Sequence, residues 1–274
     1  MKRTTLSELG ATLPVGTFRD GKFFRHLAIR KWRMEEEREL GKFRKDGVQT
    51  AAQYTSVVLS YMLTSFGIHT DFQALSEAER RLAINQAPMA DILYTWVWMR
   101  VQALDSTLLV NLACPSPNCG HKFDWKGDLE SMDVDVAQGP EDLAIVHTLR
   151  DGIEIGKKTI HTITIVPPLW ATYEQVRREK AGDMGMGEMK RMMLRSAIRD
   201  TPEIEAFVLT EEHLDSLSKY DLERCVGVLE KRSPGPELVL DASCPSCESE
   251  FQHALDWQYD SFFGSSSLWP EETA

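Results

Sequence analysis

No apolar run in this sequence approaches the roughly 20 residues that a membrane-spanning helix requires, and the opening Met1 to Leu6 passes directly into Ser7, Glu8 and Gly10 without a signal-peptide core. The chain is therefore expected in the cytoplasm of the cell that makes it. Positive charge is in deficit, with 31 Lys and Arg against 42 Asp and Glu and a formal net charge of -11. That balance repels phosphate backbones and speaks against a broad, non-specific nucleic-acid binder. Sequence marks of catalysis are missing too: there is no His-Glu-x-x-His, Gly-x-Ser-x-Gly, phosphate loop or kinase signature. Gly182-Asp183-Met184-Gly185-Met186-Gly187 has glycines but no Gly-Lys-Ser/Thr after them, and reads as a flexible loop. The expectation is a protein that is not an enzyme. Cysteine is scarce, five residues in 274, and a reducing compartment disfavours pairing them as disulfides.

What is present is a globular composition, 42% hydrophobic and 27% charged, in a chain long enough for one large domain or two of ordinary size. Between Phe18 and Asp46 ten Lys or Arg stand against six Asp or Glu, including Arg25, Arg30, Lys31, Arg33, Lys42, Arg44 and Lys45. Much of this stretch lies on a helix that also carries Glu35, Glu36 and Glu37, which favours a solvated face over a polyanion site.

An approximate internal duplication emerges when the two cysteine pairs are superposed and the chain is read backwards from them. Asp91 precedes Cys114 by 23 residues, and Asp221 precedes Cys244 by 23. Each Asp opens a helix, and each helix is followed by a strand, Leu108 to Ala113 or Leu238 to Ala242, that leads into a cysteine. Upstream, Ser76 and Thr210 each precede acidic residues where a helix is capped. Earlier still, Arg25 to Ile29 and Ile160 to Ile165 read as strands, each followed by a Trp, Trp32 or Trp170, and a charged helix. His26 and His161 sit at equivalent strand positions in this alignment. The predicted fold is α+β, with two similar helix-rich halves related by a pseudo-twofold, each ending in a strand and a cysteine turn. The boundaries are an arm over 1–19, a first half over 20–137, a linker over 138–156 where Pro and Gly cluster, a second half over 157–257 and a tail over 258–274.

The chemistry is concentrated in Cys114-Pro115-Ser116-Pro117-Asn118-Cys119-Gly120 and Cys244-Pro245-Ser246-Cys247-Glu248, within turns spanning 114–123 and 244–251. Both have Pro after the first Cys, a second Cys soon after, and Phe123 or Phe251 four residues further on, the marks of a zinc knuckle. A tight turn sets two thiolates on one side while turn amides stabilise their charge. Cys114, Cys119, Cys244 and Cys247 together would satisfy a tetrahedral Zn2+ with no position left for substrate water, a structural site. A redox Cys-x-x-Cys usually opens a helix, and no helical periodicity follows either pair. The turns differ in two ways: the first is two residues longer, and Glu248 stands where Gly120 does. His121 is a minor alternative ligand, and Cys225, inside an apolar helix, reads as a small buried hydrophobe.

Met189, Met192 and Met193 with Leu194, Ala197 and Ile198 form a helical stripe, read as core before partner face. In the tail, Phe262, Phe263 and Trp269 are bulky aromatics in a serine-rich context that either fold back on the core or dock into another chain, and they are the candidate partner-binding residues.

The charged helix near Glu35-Glu36-Glu37, the apolar helix opened by Asp91 and containing Arg100, the run from Cys114-Pro115 to Cys119-Gly120, and then Gly127-Asp128-Leu129 resemble the baseplate-hub assembly proteins of contractile-tailed, T-even type bacteriophages. The likeness covers 20–136 best and the second half through its cysteine turn and Phe262-Phe263. It implies a non-enzymatic structural or assembly protein of a tail baseplate or related injection machine. Its partners would be other baseplate or tail proteins, in the host cytoplasm or retained in the finished particle, with no small-molecule substrate. The competing expectation is a zinc-ribbon protein that binds nucleic acid or transcription machinery, for which the basic stretch from Arg25 to Lys45 is the best support.

Overall fold

A computed structural model describes residues 1–45, 50–179, 186–204, 207–255 and 262–263. The chain opens with β1 (Lys2–Thr5), α1 (Leu6–Leu9), β2 (Thr12–Arg19), β3 (Lys22–Ile29), α2 (Met34–Lys45), α3 (Ala51–Met62) and β4 (Leu63–Gly67). It continues through α4 (Glu77–Asn85), α5 (Met89–Ala103), β5 (Thr107–Ala113), β6 (Lys122–Asp128) and β7 (Asp133–Val136). The remainder comprises β8 (Ile145–Ile155), β9 (Lys158–Ile165), α6 (Trp170–Glu179), α7 (Met186–Ala197), β10 (Ile198–Asp200), α8 (Glu211–Asp215), α9 (Lys219–Arg232), β11 (Gly235–Pro236), β12 (Val239–Ser243) and β13 (Glu250–Ala254). Helix and sheet are mixed and every pairing between strands is antiparallel, an α+β architecture. No helix among the described residues is long and apolar enough to cross a membrane.

Local chemistry explains where the helices begin. Thr50 with Gln53, Ser76 with Glu79 and Thr210 with His213 form reciprocal capping boxes, as the hydroxyl-then-acid spacing predicts for Ser76 and Thr210. Helix α5 is buried on nearly every side, which its run of Ile92, Leu93, Trp96, Val97 and Met99 demands.

From β2 to β6 the order is hairpin, two helices, strand, two helices, hairpin, and the same order runs from β8 to β13 apart from the two-residue β11. From the bulge to the hairpin turn the registers correspond. Thr12 pairs with His26, Thr17 with Phe24, Phe18 with Phe23 and Arg19 with Lys22; Thr148 pairs with Thr162, Ile153 with Ile160, Glu154 with Thr159 and Ile155 with Lys158. Both first strands bulge at a glycine of positive φ, Gly16 at 73° and Gly152 at 87°, where a Cβ would strike the Phe24 or Ile160 carbonyl. Both third strands bulge as well, so that Ile29 meets Leu63 and Ala28 meets Ser65, as Ile165 meets Ile198 and Thr164 meets Asp200. This register corrects one expectation: Thr162, not His161, occupies the place of His26, and His161 stands where Arg25 does. Backbone pairing, rather than the identity of the histidines, sets the equivalence.

Each bulge is pinned by the aspartate that opens the long helix. The Asp91 carboxylate accepts from Val15 N and Gly16 N at 2.8 Å each. The Asp221 carboxylate accepts from Arg150 N and Asp151 N at 2.8 Å and from Gly152 N at 3.1 Å. Both side chains are buried. Burial pushes the Asp91 carboxyl up to about 7, opposed by the two amides and by the charge of Arg25.

Residues 138–156, expected to be a linker, hold the whole of the second sheet's first strand, β8. Gly152 is its bulge and Gly156 its hairpin turn, so glycines that read as breaks are pleat devices. Residues 1–19 are likewise no free arm: β1 pairs with β7, Leu6 is fully buried, and β2 is half of the first hairpin. The two halves interlock. Trp170, at the start of α6, is buried in the first core and donates to Ser56 Oγ at 2.8 Å, while β11 joins β7. The methionine stripe is core on one side, with Leu194, Ala197 and Ile198 buried and Met192 and Met193 half-buried. Residues 182–185 of the glycine-rich stretch lie outside the described residues.

Asp91→Ala and Asp221→Ala each leave buried amides without an acceptor and should each destabilise the fold by about 3 kcal/mol. Denaturant midpoints of the two variants test this, and matched losses are the expected result.

Candidate metal centre

Two β-ribbons carry the cysteines. In the first, Leu112 pairs with Phe123 and Ala113 with Lys122, and the Cys114 N–H then donates to the His121 carbonyl at 2.9 Å. In the second, Ala242 pairs with Phe251 and Ser243 with Glu250, and the Cys244 N–H donates to the Ser249 carbonyl at 3.0 Å. The first cysteine of each turn is thus the residue at which a ladder ends. Within the turns, Cys119 N–H donates to the Ser116 carbonyl at 3.0 Å and Glu248 N–H to the Cys244 carbonyl at 2.9 Å.

The residue after the second cysteine is left-handed in both turns, Gly120 at φ 58° and Glu248 at φ 57°. Glu248 therefore adopts the backbone of its glycine counterpart despite its side chain, at a cost of about 1 kcal/mol.

The four sulfurs converge. Cys114 Sγ lies 3.6 Å from Cys247 Sγ, Cys119 Sγ lies 3.8 Å from Cys244 Sγ, and all four are within 4.8 Å of one another. A tetrahedral ion with sulfur bonds of about 2.3 Å needs sulfur–sulfur edges of about 3.8 Å, so the cage fits a tetrathiolate metal ion. None of the pairs is a disulfide. Cys114 and Cys244 are buried, Cys119 is half-buried and Cys247 is exposed. Beneath the turns Phe123 and Phe251 meet edge to face, with centroids 6.3 Å apart. His121, the alternative ligand, is outside the cluster: its carbonyl closes the turn and its ring stacks on Phe123.

The thiols differ in acidity. The Ser116 amide, aided by hydrogen bonds from the Ser116 side chain and neighbouring thiols, lowers Cys114 to about 7. At Cys247 the Ser249 amide pulls downward, but burial and the three crowded thiols outweigh it and raise the group to about 11. Four sulfurs this close cannot all be anionic without a cation among them. Cys225 stands apart on α9, buried and pushed up to about 12, an inert core thiol as its helical setting predicted.

The tail residues are corrected by their surroundings. Phe262 is fully buried in the first core, and Phe263 stacks on Trp32 at 5.1 Å and meets Trp96 edge-on at 5.0 Å. They cover the chain's own apolar surface, so the partner-binding role does not hold for them; Trp269 lies outside the described residues. Arg100 makes this possible. Fully buried, it donates to the carbonyls of Phe262 at 2.9 Å, Asp105 at 2.7 Å and Thr107 at 2.8 Å. A lone arginine in an otherwise apolar helix was the signal, but its partners are 162 residues away in one case and carbonyls in all three.

Cys114→Ser and Cys244→Ser should each take bound metal, read by native mass spectrometry, from one ion per chain to none. Because ligands bind as thiolates, apparent metal affinity in the intact protein should rise with pH across the neutral range. Glu248→Gly should leave the turn intact and stabilise it by up to about 1 kcal/mol, while Gly120→Glu costs a similar amount, as thermal unfolding of the metal-loaded proteins would read.

No family model, no curated protein and no solved structure matches this chain.

Proposed function

We propose that the chain is a non-enzymatic scaffold protein, built from two duplicated halves and stapled by one structural zinc ion on Cys114, Cys119, Cys244 and Cys247. The observation that carries this reading is the meeting of four sulfurs, two from each of two turns far apart in sequence, at spacings that suit tetrahedral zinc. Four protein ligands close the coordination sphere, and a closed sphere offers a substrate nothing to bind. Zinc is favoured among tetrahedral sulfur-bound ions because it has no redox chemistry to disturb a structural link.

The duplication is supported by the matched registers, matched glycine bulges and matched aspartate pins of the two sheets. The cross-pairing of sulfurs, first cysteine of one turn with second of the other, is the pattern a local pseudo-twofold at the ribbons would produce.

The setting is the one the sequence resemblance implies: construction of a phage tail baseplate or a related contractile injection machine, with other baseplate proteins as partners. Charge around the cysteine turns supports a protein partner over a phosphate backbone. Lys122 and Lys126 are offset there by Asp124, Asp128, Glu248 and Glu250.

Co-expression of the chain with the baseplate proteins of a contractile-tailed phage, followed by affinity purification at physiological salt, tests the assignment. A defined complex with at least one of them is expected from the wild type and is lost or weakened in Cys114→Ser. Purification with nucleic acid and no baseplate protein would overturn the scaffold reading.

A further inference from the structure

We propose that the four-cysteine centre is also an oxidation site for hydroperoxides, and that it closes between the two turns rather than within them, as Cys114–Cys247 and Cys119–Cys244. The inference shares the site with the zinc reading, but it rests on the placement of the sulfurs and not on the ion.

Three observations carry it. Two sulfur contacts, of 3.6 Å and 3.8 Å, run from one turn to the other. Closing the shorter one to a bonded length of about 2.05 Å asks for about 1.6 Å of approach. Each turn, meanwhile, is held in its own shape by a backbone hydrogen bond, Cys119 N–H to Ser116 and Glu248 N–H to Cys244, and by a left-handed residue after the second cysteine. Finally, the site has an entrance and an interior: Cys247 is exposed, and Cys114, whose sulfur lies 3.6 Å away, is buried. An accessible sulfur beside a resolving one is the arrangement that favours a disulfide over further oxidation.

The chemistry balances as follows. One sulfur of the Cys114–Cys247 pair donates an electron pair to one peroxide oxygen and the O–O bond breaks; the departing oxygen takes a proton and leaves as water, and that cysteine becomes a sulfenic acid. The other sulfur of the pair then attacks it, the S–S bond forms, and the S–O bond breaks with loss of a second water. The two sulfurs surrender two electrons and one peroxide accepts them. Protons come from the thiols, or from solvent where the sulfurs had been held by an ion, which is released. A second peroxide joins Cys119 to Cys244 in the same way. Oxidation thus replaces a metal staple by covalent links between the same two ribbons, and the halves stay joined.

The test uses the full chain, with and without prior chelation, treated with one equivalent of hydrogen peroxide, alkylated, and digested for non-reduced peptide mapping. Links between the 114–119 and 244–247 peptides are expected within one chain. The double variant C119S/C244S, which retains Cys114 and Cys247 of the four, should lose its two turn thiols about tenfold faster than C244S/C247S, which retains Cys114 and Cys119. Predominant Cys114–Cys119 and Cys244–Cys247 links, links between separate chains, or sulfinic acid without any link would overturn the proposal. The wild-type map decides the question even where a double variant does not fold. Zinc content, measured on untreated protein, bears on the ion alone, so either reading can fail without the other.

Discussion

A buried carboxylate at the first turn of a long helix, gripping the bulged backbone of a neighbouring strand, sets the geometry on which each half depends. Asp91 holds Val15 and Gly16, and Asp221 holds Arg150, Asp151 and Gly152. The bulge turns these amides out of the sheet ladder, and buried amides need an acceptor. The aspartate supplies it and locks the helix axis to the sheet. Because a cysteine ribbon follows each helix after a short connection, fixing the helix also fixes where the cysteine turn arrives. The 23-residue spacing from aspartate to cysteine is thus the distance between an anchor and the group it positions.

The two halves are not separate bodies that a metal happens to bridge. Trp170 of the second half and Phe262 of the tail both lie in the first core, and Arg100 binds the tail through carbonyls. A fully buried guanidinium is costly to desolvate, and here its compensation comes from three backbone oxygens, with only a long contact of 4.0 Å to the Asp105 carboxylate. The cysteine pairs then join positions 133 and 125 residues apart. Clips across loops of that length remove the most freedom from the unfolded chain, and a structural ion adds on the order of 10 kcal/mol of apparent binding free energy. The ion would act at the ribbons, which carry little core of their own.

The two cysteine turns reach the same backbone from different sequences. The first is longer by Pro117-Asn118 and uses Gly120; the second is shorter and forces Glu248 into the same left-handed conformation. What they share is the hydrogen bond that closes each ribbon at its first cysteine.

Much of the local structure was legible in the residues themselves. Capping at Ser76 and Thr210, the apolar helix after Asp91, the strand entering each cysteine, and the two cysteine turns with Phe123 and Phe251 beneath them all follow from short-range rules of spacing and residue type. Three features were not, each for a physical reason. The stretch 138–156 looked like a linker because glycine marks both breaks and bulges, and only a pairing strand distinguishes them. For Phe262 and Phe263, folding back on the core and docking into another chain both stood open, because nothing local reveals that Trp32, Trp96 and Arg100 wait for them more than 160 residues upstream. The convergence of the cysteine pairs could be anticipated from the expected duplication but is a matter of tertiary packing: pairs separated by more than 120 residues meet only through the folded chain. Sequence alone determined which atoms could hold a metal, through thiols on tight turns, and the tertiary structure decided that they could do so together, since a tetrahedral site is a property of distances that no single turn contains.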